Sequence, residues 1–220
     1  TGTETVVDAG CGTGRVTQLL AARLPEGRVV ALDLAPSMLA EARRRLAVFG
    51  SRVQLIEADL LDLTPATLGS ANPADAVFST ATFHWVLDHD RLFANLAAVL
   101  RPKGQLVAQC GAAGNIDKLL AAVRKAGFER AGTWNYASPE ETRRRLLASG
   151  FEDIEVWTHA EPTRFTPGEE LETYLATVCL RAHMSDLPEG DRTRFLRLVT
   201  QAMDEPVIDY VRLNIAARRA

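Results

Sequence analysis

The segment Thr5-Val6-Val7-Asp8-Ala9-Gly10-Cys11-Gly12-Thr13-Gly14 runs from an apolar strand-like stretch straight into Arg15 to Arg23, where apolar residues recur at helical spacing. Glycines at such a junction let the backbone turn sharply and let a ligand approach without meeting a Cβ. The junction therefore predicts a strand–helix unit of an α/β fold. The same texture continues through the first half of the chain. Apolar runs at Arg28-Val29-Val30-Ala31-Leu32, Val53-Gln54-Leu55-Ile56, Ala76-Val77-Phe78 and Leu106-Val107-Ala108 alternate with helix-like stretches from Ser37 to Phe49 and from Asp90 to Leu100. Pro36 suits a first helical turn and Gly50 a C-terminal cap. Strand–helix alternation of this kind predicts a parallel sheet with helices on both faces.

Beyond Gly111 the pattern changes. Asn115 to Ala126 and Pro139 to Ala148 read as helices, each closed by Gly-Phe, and Ile154-Glu155-Val156-Trp157 alternates as a half-buried strand does. Gly168 to His183 and Asp191 to Met203 read as helices separated by the breaker-rich stretch from Ser185 to Gly190, and Tyr210 to Ala216 reads as a last strand. The predicted fold is a Rossmann-like, doubly wound, seven-stranded and mostly parallel sheet. Its last strand is antiparallel, and a helical insertion joins the last two strands. No linker divides the 220 residues, so residues 1–220 are read as one domain, with helical cap elements at about 115–149 and 167–205.

Composition excludes several classes of function. With 25 basic and 28 acidic residues the net charge is −3, whereas a chain built to grip phosphate backbone carries a basic excess on one face. Arg43-Arg44-Arg45 and Arg143-Arg144-Arg145 fan out around a helix and are read as solvated faces, so no nucleic-acid partner is expected. No apolar run approaches the ~20 residues that span a bilayer, and no membrane role is expected. The 3 cysteines, Cys11, Cys110 and Cys179, lie far apart. They point to a reducing compartment, the cytoplasm, and to no metal site. His89, His159 and His183 show no ligand spacing and are read as surface or helix-face residues.

The glycine loop narrows the ligand. A dinucleotide loop reads Gly-x-Gly-x-x-Gly and seats a pyrophosphate on the helix N-terminus. Here the spacing is Gly-x-Gly-x-Gly, and Asp8 stands two positions before the first glycine. A carboxylate in that crevice repels a pyrophosphate and suits an ammonium group. Asp33, at the end of the second strand, suits a pair of ribose hydroxyls. The expected ligand is thus an adenosine bearing an amino acid, S-adenosylmethionine (SAM).

On these residues the sequence resembles the class I SAM-dependent methyltransferases over essentially its whole length. Asp8-x-Gly10-x-Gly12-x-Gly14 matches the family's first motif, and the stretch from Asp33 to Ala42 resembles the one after it, whose acid holds the ribose. Glu57-Ala58-Asp59-Leu60 ends the third strand where such enzymes contact the adenine. Asp75 to Thr80 resembles the fourth strand, and Leu100 to Leu106 the entry to the fifth, with Lys103-Gly104 where the family has Gly-Gly. The family as a rule has a helix before the first strand that helps cover the cofactor. This sequence opens at Thr1, almost on its first strand, so residues upstream are expected. The resemblance implies cofactor contacts at Asp8, Gly10, Cys11, Gly12, Gly14, Asp33, Leu34, Met38, Ala58, Asp59, Leu60, Thr80 and Ala81. Cys11 is read as a small packing residue in that set.

Thr80-Ala81-Thr82-Phe83-His84-Trp85 follows the fourth strand, at the end of the sheet where such folds bind ligands. It lacks the Asn/Asp-Pro-Pro-Tyr/Phe of methyltransferases acting on amino groups of DNA bases. Phe83 to His89 instead resembles a stretch of the trans-aconitate and malonyl-carrier-protein O-methyltransferases, with His84 where those have glutamine. His84 is the candidate catalytic residue, as a base or as a positioning group. Trp85, Tyr136 and Arg212 are candidates for the acceptor, Arg212 as a clamp on a carboxylate or as a polar-face residue of an edge strand. Arg164 and Arg181 are further arginines of the same kind. The expected activity is methyl transfer from SAM to a small-molecule acceptor, a carboxylate on this resemblance. The alternatives are a SAM-binding partner module without turnover and an NAD-dependent oxidoreductase, which the glycine spacing disfavours.

Overall fold

The structure, a computed structural model, describes residues 1–71, 73–128 and 134–220. In chain order its elements are β1 (Thr5–Ala9), α1 (Arg15–Arg23), β2 (Arg28–Asp33), α2 (Pro36–Leu46), β3 (Val53–Glu57), α3 (Pro65–Leu68), β4 (Ala74–Thr80), α4 (His89–Val99) and β5 (Leu100–Gly111). There follow α5 (Asp117–Lys125), α6 (Pro139–Ala148), β6 (Phe151–Ala160), β7 (Thr163–Arg164), α7 (Glu169–Tyr174), α8 (Arg181–Asp186), α9 (Glu189–Ala202), β8 (Val207–Ile208) and β9 (Val211–Arg219). Local chemistry accounts for several boundaries. Pro36 occupies the first turn of α2, the Asp88 carboxylate accepts from the Arg91 N–H at the start of α4, and Ser138 and Glu141 close a reciprocal capping box on α6.

The seven-stranded sheet has the order β3-β2-β1-β4-β5-β9-β6. Strand β9 runs antiparallel to both its neighbours, and the other adjacent pairs are parallel. Val29, Val30, Ala31 and Leu32 are all buried, because helices cover both faces of β2. One face packs Val7, Val30, Val77, Leu106, Leu213 and Ile215 against α4 and α6 through Leu92, Phe93, Leu96 and Leu146. On the other, α1 and α2 cover the β1–β3 half. Further along that second face, Val107 and Trp157 are 42% and 48% exposed, so the helices expected on both faces cover only half of this one.

A second core holds the insertion together. Leu119 and Val123 of α5 meet Leu171, Leu175, Phe195, Val199, Ile208 and Tyr210. The first cap stretch, read as about 115–149, therefore divides. Helix α5 joins the insertion, residues 129–133 lie outside the described residues, and α6 packs on the sheet because Leu146 turns toward β6 and α4. Patterning missed α3, the two-stranded ribbon β7–β8 and the extent of β5, which starts directly after α4. The long helix read from Gly168 to His183 is interrupted by a π-turn at Leu175–Cys179.

Two readings of charged residues change. Arg43 and Arg44 are exposed, but Arg45 turns inward and donates from Nε to the Thr13 carbonyl of the glycine loop at 2.9 Å. Arg145 likewise turns inward, with Nε 3.6 Å from Asp90. A helix presents a new face every ~100°, so the third residue of each triplet points back to the protein. His89 and His183 are buried rather than superficial. The Nε2 of His89 pairs with the Phe83 carbonyl at 2.9 Å, and His183 stacks on Phe195 at 5.9 Å.

Candidate active site

The chain leaves β1 toward β2 on one side of the sheet and reaches β4 and β5 on the other, so the strand order reverses beside β1. Open α/β sheets bind ligands at the carboxyl ends of strands at such a reversal. A cavity of about 940 Å³ lies there, large enough for a nucleoside-sized cofactor together with a small acceptor.

The glycines of the loop after β1 do different things. A Cβ on Gly10 would lie 2.1 Å from the Thr82 Oγ1, so only glycine lets the loops after β1 and β4 meet. Gly14 faces away from the cavity. A Cβ there would lie 2.8 Å from Leu46 Cδ1, and its absence lets α1 pack on α2. Gly12 lines the cavity and has nothing within 4 Å of its Cβ position. The N–H groups of Gly10 and Cys11 both donate to the Leu32 carbonyl, at 2.9 and 2.8 Å, tying the loop to β2.

The Asp33 carboxylate is held on the cavity wall by two backbone donors, Gly12 N–H to Oδ2 at 2.7 Å and Ala35 N–H to Oδ1 at 2.9 Å. Each oxygen keeps a lone pair, so the group can still accept two hydroxyls. Leu34, Ala35, Met38, Ala58, Leu60 and Leu61 form an apolar slot beside it. Asp59 also lines the slot, with Oδ1 capping the following turn through Leu61 N–H at 2.8 Å. This donor set, a carboxylate for vicinal hydroxyls beside a flat apolar slot and an open glycine backbone, fits SAM.

Asp8 does not reach the cavity. Strand alternation puts Val7 and Ala9 into the α4 side of the core and turns Asp8 toward α1, where the Thr17 hydroxyl donates to it at 2.6 Å. Burial pushes its carboxyl up to about 6, against the hydrogen bond from Thr17, and the charge of Asp33 adds to the rise. The Cys11 thiol lines the cavity and is pushed up to about 12 by burial and by the charges of Asp8 and Asp33. It is a neutral packing group at neutral pH.

Thr80, Ala81, Thr82, Trp85, Val86 and Leu87 form the wall at the β4 end, and Arg181, Ala182 and Ser185 of α8 face it from the insertion. Ala81 holds a left-handed φ of 54° while its N–H donates to the Gln109 carbonyl at 2.8 Å. Such conformations at non-glycine residues persist where the surroundings over-determine them.

His84, Tyr136 and Arg212 are absent from this wall. The His84 ring lies 5.3 Å from Trp85 and 5.7 Å from Tyr136, and its Nδ1 accepts the Gly111 N–H at 3.2 Å. Burial, with the positive charge of Arg212 and that of His89, holds the imidazole down at about 4. A neutral ring whose Nδ1 accepts carries its proton on Nε2. Tyr136 packs on Gly111, where a Cβ would lie 2.6 Å from its Cε1, and burial raises its phenol above the ordinary value. Arg212 lies 4.2 Å over the Tyr210 ring and donates from Nε to Glu161 at 2.6 Å. Its strand β9 sits between β5 and β6, so the edge-strand reading is replaced by an interior one.

Residues 6–104 match a family described as a methyltransferase domain. Over that stretch the chain is similar to SAM-dependent methyltransferases. The trans-aconitate 2-methyltransferase of Escherichia coli is 28% identical to it over 234 residues, covering 98% of this chain and 86% of the relative. Among solved structures, an S-adenosylmethionine-dependent methyltransferase from Mesorhizobium loti aligns with a TM-score of 0.56 at 23% identity, over 99% of this chain and 92% of that one. The Haemonchus contortus phospholethanolamine N-methyltransferase 2, solved with phosphomonomethylethanolamine and S-adenosylhomocysteine, aligns with a TM-score of 0.63 at 19% identity. This chain spans 49% of that one. These two likenesses are of fold.

The structure gathers Gly10, Cys11, Gly12, Asp33, Leu34, Met38, Ala58, Asp59, Leu60, Thr80, Ala81 and Trp85 around one cavity. Asp8 and Gly14 support the loop from behind, and His84 and Tyr136 stand behind Trp85. Sequence reasoning missed Val86 and Leu87, which are unremarkable as residue types, and Ala182 and Ser185, which reach the site only through the fold of the insertion. Among the described residues no group of His, Cys, Asp and Glu is arranged to hold a metal ion, and no helix is long and apolar enough to cross a membrane.

Proposed function

We propose that the chain is a SAM-dependent methyltransferase that O-methylates a carboxylate of a small acid, and that it works in the cytoplasm as one catalytic unit. The observation that carries this reading is the absence, among the described residues, of a base at the β4 end of the cavity. The Cys11 thiol stays protonated. The His84 Nδ1 is committed to Gly111 and its ring stands off the wall. An acceptor needing deprotonation in the site would find no partner for its proton, whereas a carboxylate is ionised at pH 7 without help. The likeness to the trans-aconitate 2-methyltransferase supports the same class of acceptor. The three buried, free cysteines fit a reducing compartment.

Bound SAM supplies a methyl group already activated on a sulfonium sulfur. The chain's own residues then bind, orient and exclude water. Asp33 takes the ribose hydroxyls, the apolar slot from Leu34 to Leu61 takes the adenine, and the open space at Gly12 leaves room for the amino-acid end. Asp8 fixes the loop through Thr17. Thr80 and Ala81 form the wall beside the reacting end, and Trp85, braced by His84, orients the acceptor. Alignment of this kind can be worth about 7 to 11 kcal/mol of barrier.

The test pairs binding with product chemistry. Titration with S-adenosylhomocysteine is expected to show binding that Asp33→Ala abolishes. Turnover of a carboxylic-acid panel is expected to give products whose methyl group is released as methanol in alkali, as esters do. An alkali-stable product would overturn the carboxylate reading. His84→Gln keeps a donor behind Trp85 and is expected to retain turnover within about tenfold, with no limb near pH 6 in the rate profile of either protein. A loss of about a thousandfold would assign His84 a base role instead.

A further inference from the structure

The cavity has an electrical polarity that the cofactor contacts do not use up. Among the described residues on its wall the charged ones are Asp33 and Asp59, at the ends of β2 and β3, and Arg181, which faces them from the insertion. The three arginines that the sequence offers as clamps for an acceptor anion fare differently. Arg164 is paired with Glu205 at 2.9 Å and Arg212 with Glu161 at 2.6 Å. Arg181 has no acidic partner among the described residues, and the same cavity wall carries the apolar Trp85, Val86 and Leu87.

Its placement comes from the irregular backbone just before it. Leu175–Cys179 forms a π-turn, and the Leu180 N–H donates to the Leu175 carbonyl at 2.7 Å. The additional residue in that turn shifts the phase of everything after it. Leu175, Cys179 and Leu180 thereby stay in the cap core, while Arg181, Ala182 and Ser185, one turn of α8, face the cavity.

We propose that Arg181 determines acceptor specificity by clamping a second, non-reacting carboxylate of the acceptor. The guanidinium is a planar fork that matches a carboxylate with two parallel hydrogen bonds. The inference rests on the carboxylate reading above. It adds that one carboxylate is insufficient, so the enzyme distinguishes a dicarboxylic or tricarboxylic acid from its half-amide. The amino-acid end of the cofactor also carries a carboxylate, and the experiment separates the two sources.

The experiment uses calorimetry on the parent chain, Arg181→Gln and Arg181→Lys. Each is titrated with S-adenosylhomocysteine, and the loaded protein then with trans-aconitate, succinate and the half-amide succinamate. The parent is expected to bind a polycarboxylate about ten- to hundredfold more tightly than succinamate. Arg181→Gln is expected to lose that preference and Arg181→Lys to keep part of it, with affinity for S-adenosylhomocysteine within twofold of the parent in both. That unchanged affinity also reports an intact fold. Weakened S-adenosylhomocysteine binding in Arg181→Gln would assign the residue to the cofactor's carboxylate and overturn the proposal. So would a parent that binds no polycarboxylate, or polycarboxylate binding indifferent to the substitution. Arg181-dependent binding together with an alkali-stable methylated product would overturn the ester reading alone and leave the clamp standing.

Discussion

Asp8 and Asp33 end neighbouring strands as the same kind of residue and lead different lives. Asp33 sits at the mouth of the cavity with a backbone donor on each oxygen. Asp8 is sealed under α1, and burial pushes it up to about 6 from 3.8. An acid whose pKa is higher folded than unfolded takes up a proton on folding, so stability falls as pH rises from about 4 to about 6. Asp8→Asn removes this dependence. It is expected to match the parent near pH 4 and to exceed it by about 2 to 3 kcal/mol above pH 6, as urea unfolding at the two pH values would show. The glycine loop yields a second contrast. Gly12→Ala meets open space and bears only left-handed backbone strain, about 1 to 2 kcal/mol. Gly10→Ala bears the same strain and also drives a methyl group into Thr82. Thermal unfolding of the two variants is expected to rank Gly10→Ala well below Gly12→Ala, and equal melting temperatures would count against the close approach of the two loops.

At the scale of elements, strand β5 shows how a local residue choice and the sheet register collide. Lys103 sits there at φ 62°, inside the irregular stretch where the strand shifts register against β4 between Ala74 and Ala76. Its ammonium pairs with Glu152, a largely exposed contact worth at most about 1 kcal/mol. Lys103→Gly exchanges that pair for relief of the left-handed strain. It is expected to leave the melting temperature unchanged or slightly raised, and a drop of several degrees would show that the ion pair outweighs the strain. The insertion shows the opposite case. Its helical periodicity from Gly168 to His183 was legible, but the π-turn within it was not, because a one-residue phase shift hardly alters a hydrophobic pattern of that length. Edges were legible where side chains make them, as at Pro36 and at the Ser138–Glu141 box. They were misread where tertiary pairing extends an element, as in β5.

For the whole molecule, the consequence is a cavity walled by the sheet on one side and by α8 of the insertion on the other. Ligand in that cavity should couple the two. At a concentration of S-adenosylhomocysteine 100 times its dissociation constant, linkage adds about 2.7 kcal/mol of stability. Hydrogen exchange is expected to slow in the glycine loop, in Thr80 to Leu87 and in α8, with the solvent-facing side of α9 unchanged. Protection confined to the glycine loop would argue against a wall built from both parts.

By itself, the sequence determined what depends on near neighbours in the chain. The alternating strands and helices, the glycine loop, Asp33 at the end of β2 and the apolar slot after it all lie within a few residues of a strand end, and a parallel sheet brings strand ends together wherever they occur. Tertiary structure alone decided what depends on facing direction and on distant partners. It turned Asp8 away from the ligand through the alternation of β1, committed the His84 Nδ1 to Gly111, and neutralised Arg164 and Arg212 with glutamates from connecting segments. It also left Arg181 at the cavity without an acidic partner among the described residues. The physical reason is that composition and spacing report which groups a chain carries, while burial, pairing and protonation are set by neighbours that only the folded chain supplies.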